Sequence, residues 1–317
     1  MHGVISMKQK PAYMPVLGIM AWIMISALCA GLLPAADFHV SSGGSDVSGD
    51  GSKTNPYGTI SHAVAIAETG AGPDTPARVF ISAGIYLENV ILPEYVSLYG
   101  GYDPATWSRN MDTFHTILKP SAGGSSDPVV DAADHTELNG LYIRDGAAGV
   151  RCLGTSPRIS NCRIENMTIP SGVYIEGATA SPRVEYCTFT GNKEGIYAYS
   201  GGVPDIRFNV FSENMDHGVV IQHAAPVVLN NTFESNRNSG LYLIDCPSGT
   251  AAANTFLSNG QYGIFSIRGG VLIANNMIAL QKNSGIQVRD ESASRIAHNT
   301  LYRNLNGITL MNASPQI

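Results

Sequence analysis

Charge is scarce in this chain. Asp, Glu, Lys and Arg make up 14% of the 317 residues, well below the ~25% of ordinary globular domains. The 19 Lys and Arg are spread thinly, the net charge is −6 and no basic stripe is present, which argues against a nucleic-acid partner. Cysteine is sparse too. Of five, Cys29 stands near the N-terminus, and Cys152, Cys162, Cys187 and Cys246 lack the spacing of a zinc site.

What is abundant is glycine, with 34 residues, and it is periodic. A glycine followed by alternating apolar residues begins at Gly149, Gly172, Gly195, Gly218, Gly240, Gly263, Gly285 and Gly307, at intervals of 22 or 23 residues. Such regularity means a solenoid, in which one chain of modest core size grows as a single domain by adding coils. Within each phrase the period is 2, so the first and third residues after the glycine face inward and the second and fourth face out. Glycine at the strand entrance is expected to serve a positive-φ bend.

A second phrase follows in each coil: an apolar residue, Asn or Cys three on, and a large apolar residue two beyond, as in Ile206/Asn209/Phe211 and Val228/Asn231/Phe233. Asn is a poor strand residue, yet Asn209, Asn231, Asn254, Asn276 and Asn299 hold one column. Stacked at about 4.8 Å, each amide can bond the next, whereas an unpaired one inside costs about 1–3 kcal/mol. Asn192, Asn214, Asn236, Asn259 and Asn304 mark a second corner. Cys162 and Cys187 occupy the first column in neighbouring coils, so their Cα atoms fall within disulfide range; the favoured alternative is two buried thiols in place of the amides.

These phrases resemble the right-handed parallel β-helix superfamily, which includes pectate lyases, polygalacturonases and uronan epimerases. The resemblance covers Arg78 to Ile317 as architecture and implies an all-β, single-stranded parallel β-helix with an N-terminal capping helix. It does not imply one activity, because the scaffold hosts unrelated chemistries. The Asn-Thr-Asp, Asp-Asp and Gly-His-Gly set of polygalacturonases, the Arg-Ile-Lys of lyases and the Asp-Pro-His of epimerases are absent from the sequence.

In chain order, Val16 to Leu33 is an apolar run after Lys8 and Lys10, with small residues before Asp37. Residues 1–36 therefore read as a secretory signal peptide, or as an uncleaved membrane anchor, and the protein is expected to be secreted, periplasmic or on the cell surface. Residues 37–76 carry a short strand at Phe38, a Gly/Asp loop and an amphipathic helix from Thr59 to Glu68 with Ile60, Ala63, Val64 and Ala67 on one face. Asp46 and Asp50 offer calcium oxygen ligands, but the spacing fits no complete EF-hand; a turn-rich loop is expected, and no metal or other cofactor is assigned. Ala83 to Glu88 reads as a turn, with Tyr86 a stacked ring and Glu88 a capping carboxylate. Residues 77–317 form the β-helix, interrupted by Gly100 to His115, where Trp107 is either a sugar platform or packed on the wall. The chain stops just short of its next ladder position with no polar cap, so the solenoid is expected to continue in a longer protein.

Five residues past successive glycines stand His223, Asp245, Arg268 and Asp290, one column at the strand exit. Beside it lie Tyr174, Tyr197, Tyr199, Tyr242 and Arg289. Two reactions suit these types. In uronide β-elimination an Arg neutralises the substrate carboxylate and His223 takes a proton; in hydrolysis Asp245 and Asp290 form the carboxylate pair. The alternatives are glycan binding without catalysis and a purely structural ladder of alternating charge. His217, beside Asp216, is expected in a solvated turn, and His298 outward beside Asn299. The reading is a secreted protein that engages polysaccharide, probed first with acidic glycans, either as a lyase or glycosidase or as a non-catalytic binding or structural repeat segment.

Overall fold

The computed structural model describes residues 36–121 and 126–317. The segment expected to be a signal peptide or anchor, Cys29 included, lies outside the described residues, and none of the described helices is long and apolar enough to cross a membrane.

Every repeat contributes one strand to each of three parallel sheets, of 10, 11 and 10 strands. The glycine phrase forms the first sheet, for example Glu194–Tyr199, Val219–Gln222 and Leu241–Ile244. The chain then turns into a second sheet, as in Asp205–Arg207, and a third, as in Val210–Ser212, before re-entering the first one coil on. Register is strict: Ile196 pairs with Val219, and Val219 with Leu241. Coils begin earlier than the clean repeat, at Ala77–Ser82. Gly84–Leu87, read from sequence as a turn, is a strand of the third sheet paired with Thr116–Lys119.

The interior consists of stacked like residues. Phe189, Phe211, Phe233 and Phe256 are fully buried and stack face to face at 4.8, 4.9 and 4.6 Å. The Asn column is a continuous ladder. Asn231 Nδ2 donates to Asn254 Oδ1 at 3.1 Å and to Ile206 O at 2.9 Å, while its Oδ1 accepts from the backbone and side chain of Asn209. At the second corner Gln281 fills the rung between Asn259 and Asn304 that the sequence pattern left blank, accepting from Asn259 N at 3.0 Å. Cys162 and Cys187 are free, buried thiols. They extend the ladder: Cys187 Sγ accepts from Cys162 N at 3.4 Å, and Cys187 N donates to Asn209 Oδ1 at 2.9 Å.

Each ladder residue is preceded by a residue in the left-handed region, as at Asn230 (φ 57°) and Asn275 (φ 55°). This one-residue kink turns the chain between sheets and aims the next side chain inward. The strand glycines serve a different purpose from the one expected: their φ is not left-handed, and what they supply is close approach. A Cβ at Gly195 would stand 2.5 Å from Gly218 O and 2.6 Å from Phe211 Cδ1.

The helix Ile60–Glu68 buries the predicted Ile60, Ala63, Val64 and Ala67 against the first coils. Thr59 is its N-cap. Glu88 completes the capping from 27 residues away, accepting from Ser61 N at 2.8 Å and from Ile60 N at 2.9 Å. Asp46 is absorbed similarly, its carboxylate accepting from Gly58 N, Thr59 N and the Thr59 hydroxyl. Among the described residues no group of three or more His, Cys, Asp or Glu is arranged to hold a metal ion. Trp107 is packed on the wall, 9% exposed, with Nε1 donating to Lys53 O at 2.9 Å.

Candidate functional site

The outer face of the first sheet carries most of the chemistry. Its central row, set by strand alternation, runs Tyr174, Tyr197, Val220, Tyr242, Phe265, Gln287. Tyr174 stacks on Tyr197 at 5.9 Å and Tyr242 on Phe265 at 4.9 Å, and Val220 leaves a notch between the two pairs. Burial, with the bond donated to Glu176 at 2.7 Å, pushes the Tyr174 phenol up to about 12. The Tyr197 and Tyr242 phenols are raised by burial too. All three are hydrogen-bond donors at neutral pH rather than bases.

His223, Asp245, Arg268 and Asp290 do fall in one column. Each adopts a left-handed turn at the strand exit, with φ of 54°, 52°, 45° and 54°, and each donates its N–H to the following coil. Their side chains form an exposed ladder. Arg268 donates to both Asp245 oxygens, at 2.7 and 2.9 Å, and His223 Nε2 lies 3.9 Å from Asp245. The Arg268 bonds hold the Asp245 carboxyl below its ordinary value. Asp290 is 4.0 Å from the neighbouring Arg289. An Arg already gripped by a carboxylate in both prongs has little charge left for a substrate, so this column is the rim of the face. Tyr199, 37% exposed, packs edge-on to His223 at 5.9 Å.

The residues just before each glycine form another row, one the sequence reading did not single out: Ser171, Glu194, His217, Ser239, Tyr262, Ser284. Two of them reach the central row of the next coil, while Tyr262 packs on Phe265 of its own coil at 4.8 Å. The Ser284 hydroxyl is 2.7 Å from that of Thr309, and the His217 ring is 5.0 Å from Tyr242. Glu194, in this row, is 7% exposed. Desolvation raises its carboxyl to about 7, with Lys193 opposing and Asp216 adding to the shift. His217 is not in a solvated turn: its side chain is 14% exposed. Its Nδ1 accepts from Ser239 N at 3.2 Å and its Nε2 is 3.3 Å from Asp216. Burial pushes its imidazole down, so it is a neutral ring of fixed tautomer. The signal for this row was present in the period of the glycines, but its burial depends on the size of residues one coil away.

One observation ties the face together. Among the described residues, the buried side-chain polar atoms without a hydrogen-bond partner are Glu194 Oε2, Ser239 Oγ, Gln287 Nε2 and Arg289 Nε. Buried polar atoms in folded proteins are almost always paired, and all four exceptions belong to this sheet or its entrance.

Comparison with known proteins agrees with this architecture. No curated protein matches the chain. Among solved structures, that of XylC in complex with xylose superimposes with a TM-score of 0.58 at 11% identity, over 83% of this chain and 69% of that one. The GH136 lacto-N-biosidase from Eubacterium ramulus gives 0.57 at 11% identity, over 89% and 68%. These likenesses establish the fold. The family described as right handed beta helix region matches residues 124–248 and 222–317, more than half of the sequence, and with the three-sheet parallel coil this places the chain in the right-handed β-helix family.

Proposed function

We propose that this protein engages an acidic polysaccharide along the outer face of the first sheet. The observation that carries the reading is the set of four unpartnered buried polar atoms on that face, beside two pairs of stacked rings. A pyranose offers what they lack: C–H faces for aromatic rings and hydroxyls for buried donors and acceptors. Gln287 Nε2 and Arg289 Nε stand two residues apart on one strand with no acceptor supplied by the protein, an arrangement suited to a sugar carboxylate. Glycan-directed relatives on the same fold, such as the lacto-N-biosidase, support a carbohydrate ligand. His223, Asp245, Arg268 and Asp290 take the part of a charged rim, with Tyr174, Tyr197, Tyr199 and Tyr242 as the floor. Export to the periplasm or cell surface, where such polymers occur, belongs to the same proposal.

A second reading, cleavage by a lyase or glycosidase, is favoured by one observation: Glu194, with its carboxyl raised to about 7, holds a proton that could be delivered to a leaving oxygen near neutral pH. Titration calorimetry with oligogalacturonate and oligoalginate, followed by chromatography for products, tests both readings. Saturable binding weakened at least tenfold by Arg289→Gln and by Tyr197→Ala is expected. Absence of binding to either oligomer sinks the first reading, and binding without products sinks the second.

A further inference from the structure

The insertion at residues 100–115 folds back on the corner between the second and third sheets, away from the face described above. Arg109 fixes it there, donating through Nε to Gly100 O at 2.9 Å and through Nη2 to Asn139 O at 3.2 Å. Between this wall and the coils lies a cleft of about 360 Å³, whose lining includes Asp112, His115, Tyr142, Arg163 and Tyr186.

Tyr186 forms one end of a platform. It stacks on Phe208 of the next coil at 5.1 Å with only 4° between ring planes, and the two residues are 55% and 43% exposed. Both residues occupy the left-handed kink of their coils, with φ of 55° and 54°. Three other coils place Asn161, Asn230 and Asn275 at that kink, the residue type that tolerates it, whereas bulky side chains there are outliers. Backbone conformation therefore does not account for two aromatics at this corner, and apart from their mutual stack both stand open to solvent. The polar groups beside them are also open. No hydrogen bond from the described residues reaches the Asp112 carboxylate or the Tyr186 hydroxyl, and Arg163 is engaged through Nε by Glu165 at 2.9 Å, leaving its terminal nitrogens for a ligand. In the lining, Arg163 faces the Glu165 carboxylate and Asp112 adds a negative charge of its own, which disfavours an anionic ligand.

We propose that this cleft is a second carbohydrate subsite, for a pyranose unit of a neutral polysaccharide whose apolar face lies on the Tyr186–Phe208 stack while its hydroxyls bond to Asp112 and Arg163. Parallel exposed rings offer apolar surface to the C–H groups of a sugar, and a carboxylate and a guanidinium in one lining supply the acceptors and donors that neighbouring hydroxyls need.

The test is saturation-transfer NMR and calorimetry on the full chain with cellotetraose, xylotetraose, mannotetraose and tetragalacturonate. The double variant Tyr186→Asn/Phe208→Asn carries the residue that other coils use at this kink, so it is expected to keep the wild-type melting curve while losing about tenfold or more in affinity. Arg289→Gln, on the other face, is expected to leave neutral-sugar binding unchanged, which keeps this proposal separable from the preceding one. The inference is overturned by wild type binding none of the neutral tetrasaccharides, by a double variant that binds as wild type does, by neutral binding lost in Arg289→Gln alone, or by tetragalacturonate being the one ligand that the double variant loses.

Discussion

Replacing Glu194 with Gln should remove a pH dependence of stability that the wild-type protein shows. The residue is 7% exposed, and its carboxyl rises from an ordinary 4.5 to about 7 on folding, chiefly through desolvation. A folded-state value above the unfolded one means that the native state holds the proton more tightly. The associated stability is fully present below about pH 4.5, declines as pH rises, and is gone above about pH 7. At about 1.4 kcal/mol per unit the upper limit is about 3 kcal/mol; with the solvent screening available at a sheet surface, about 1–3 kcal/mol is expected. Gln keeps the shape and cannot ionise. The measurement is calorimetric melting of both proteins from pH 4 to pH 8, taken as a difference so that other titrating groups cancel. Relative to the variant, the wild type should lose roughly 2–8 °C of melting temperature across that range. Parallel pH profiles would refute the argument, because they would mean that Glu194 is hydrated and ionised in the folded protein.

Asn254→Ala removes an acceptor for two Asn231 donors and two donors of its own, so denaturant melts should show a loss of about 2–4 kcal/mol; Asn254→Cys should cost less, since Cys187 already fills this column with a sulfur that accepts a backbone N–H. Phe233→Ala, in the middle of the Phe stack, should lower stability by about 3–5 kcal/mol, and little change would mean that the coils do not share one core. Gly195→Ala should destabilise severely despite its small size, as its Cβ would lie 2.5 Å from a backbone oxygen; a folded variant with wild-type melting would contradict the close-approach account. Arg268→Ala should leave the melting temperature nearly unchanged, because its pairing with Asp245 is at the exposed rim; a large drop would mean that the ladder holds the coil together.

Much of the fold was legible in the sequence because a parallel coil turns linear period into stacking. Once the glycines recur every 22 or 23 residues, register, inward positions and the Asn column follow, and the structure has Ile196, Val219 and Leu241 in line as that logic requires. Gln281 was missed because a ladder rung needs an inward amide, which Gln also provides, whereas the pattern was drawn on Asn. The charged column was legible as a column, though not its pairing: the grip of Arg268 on Asp245 is set by rotamers. The same limit applies to Cys162 and Cys187, whose proximity followed from period and whose state as thiols did not.

The sequence by itself determined the coil, because the hydrophobic effect acting on period-2 phrases at a fixed repeat leaves one way to bury every apolar side chain at once. Only the tertiary structure decided which polar groups lose their water. Glu194 is buried on the outer face of a sheet, and His217 is covered by Tyr242 of the next coil. Tyr186 borders a cleft because an insertion some 80 residues earlier in the chain folds against its corner. Desolvation depends on what stands beside a group in space, and those neighbours come from other coils.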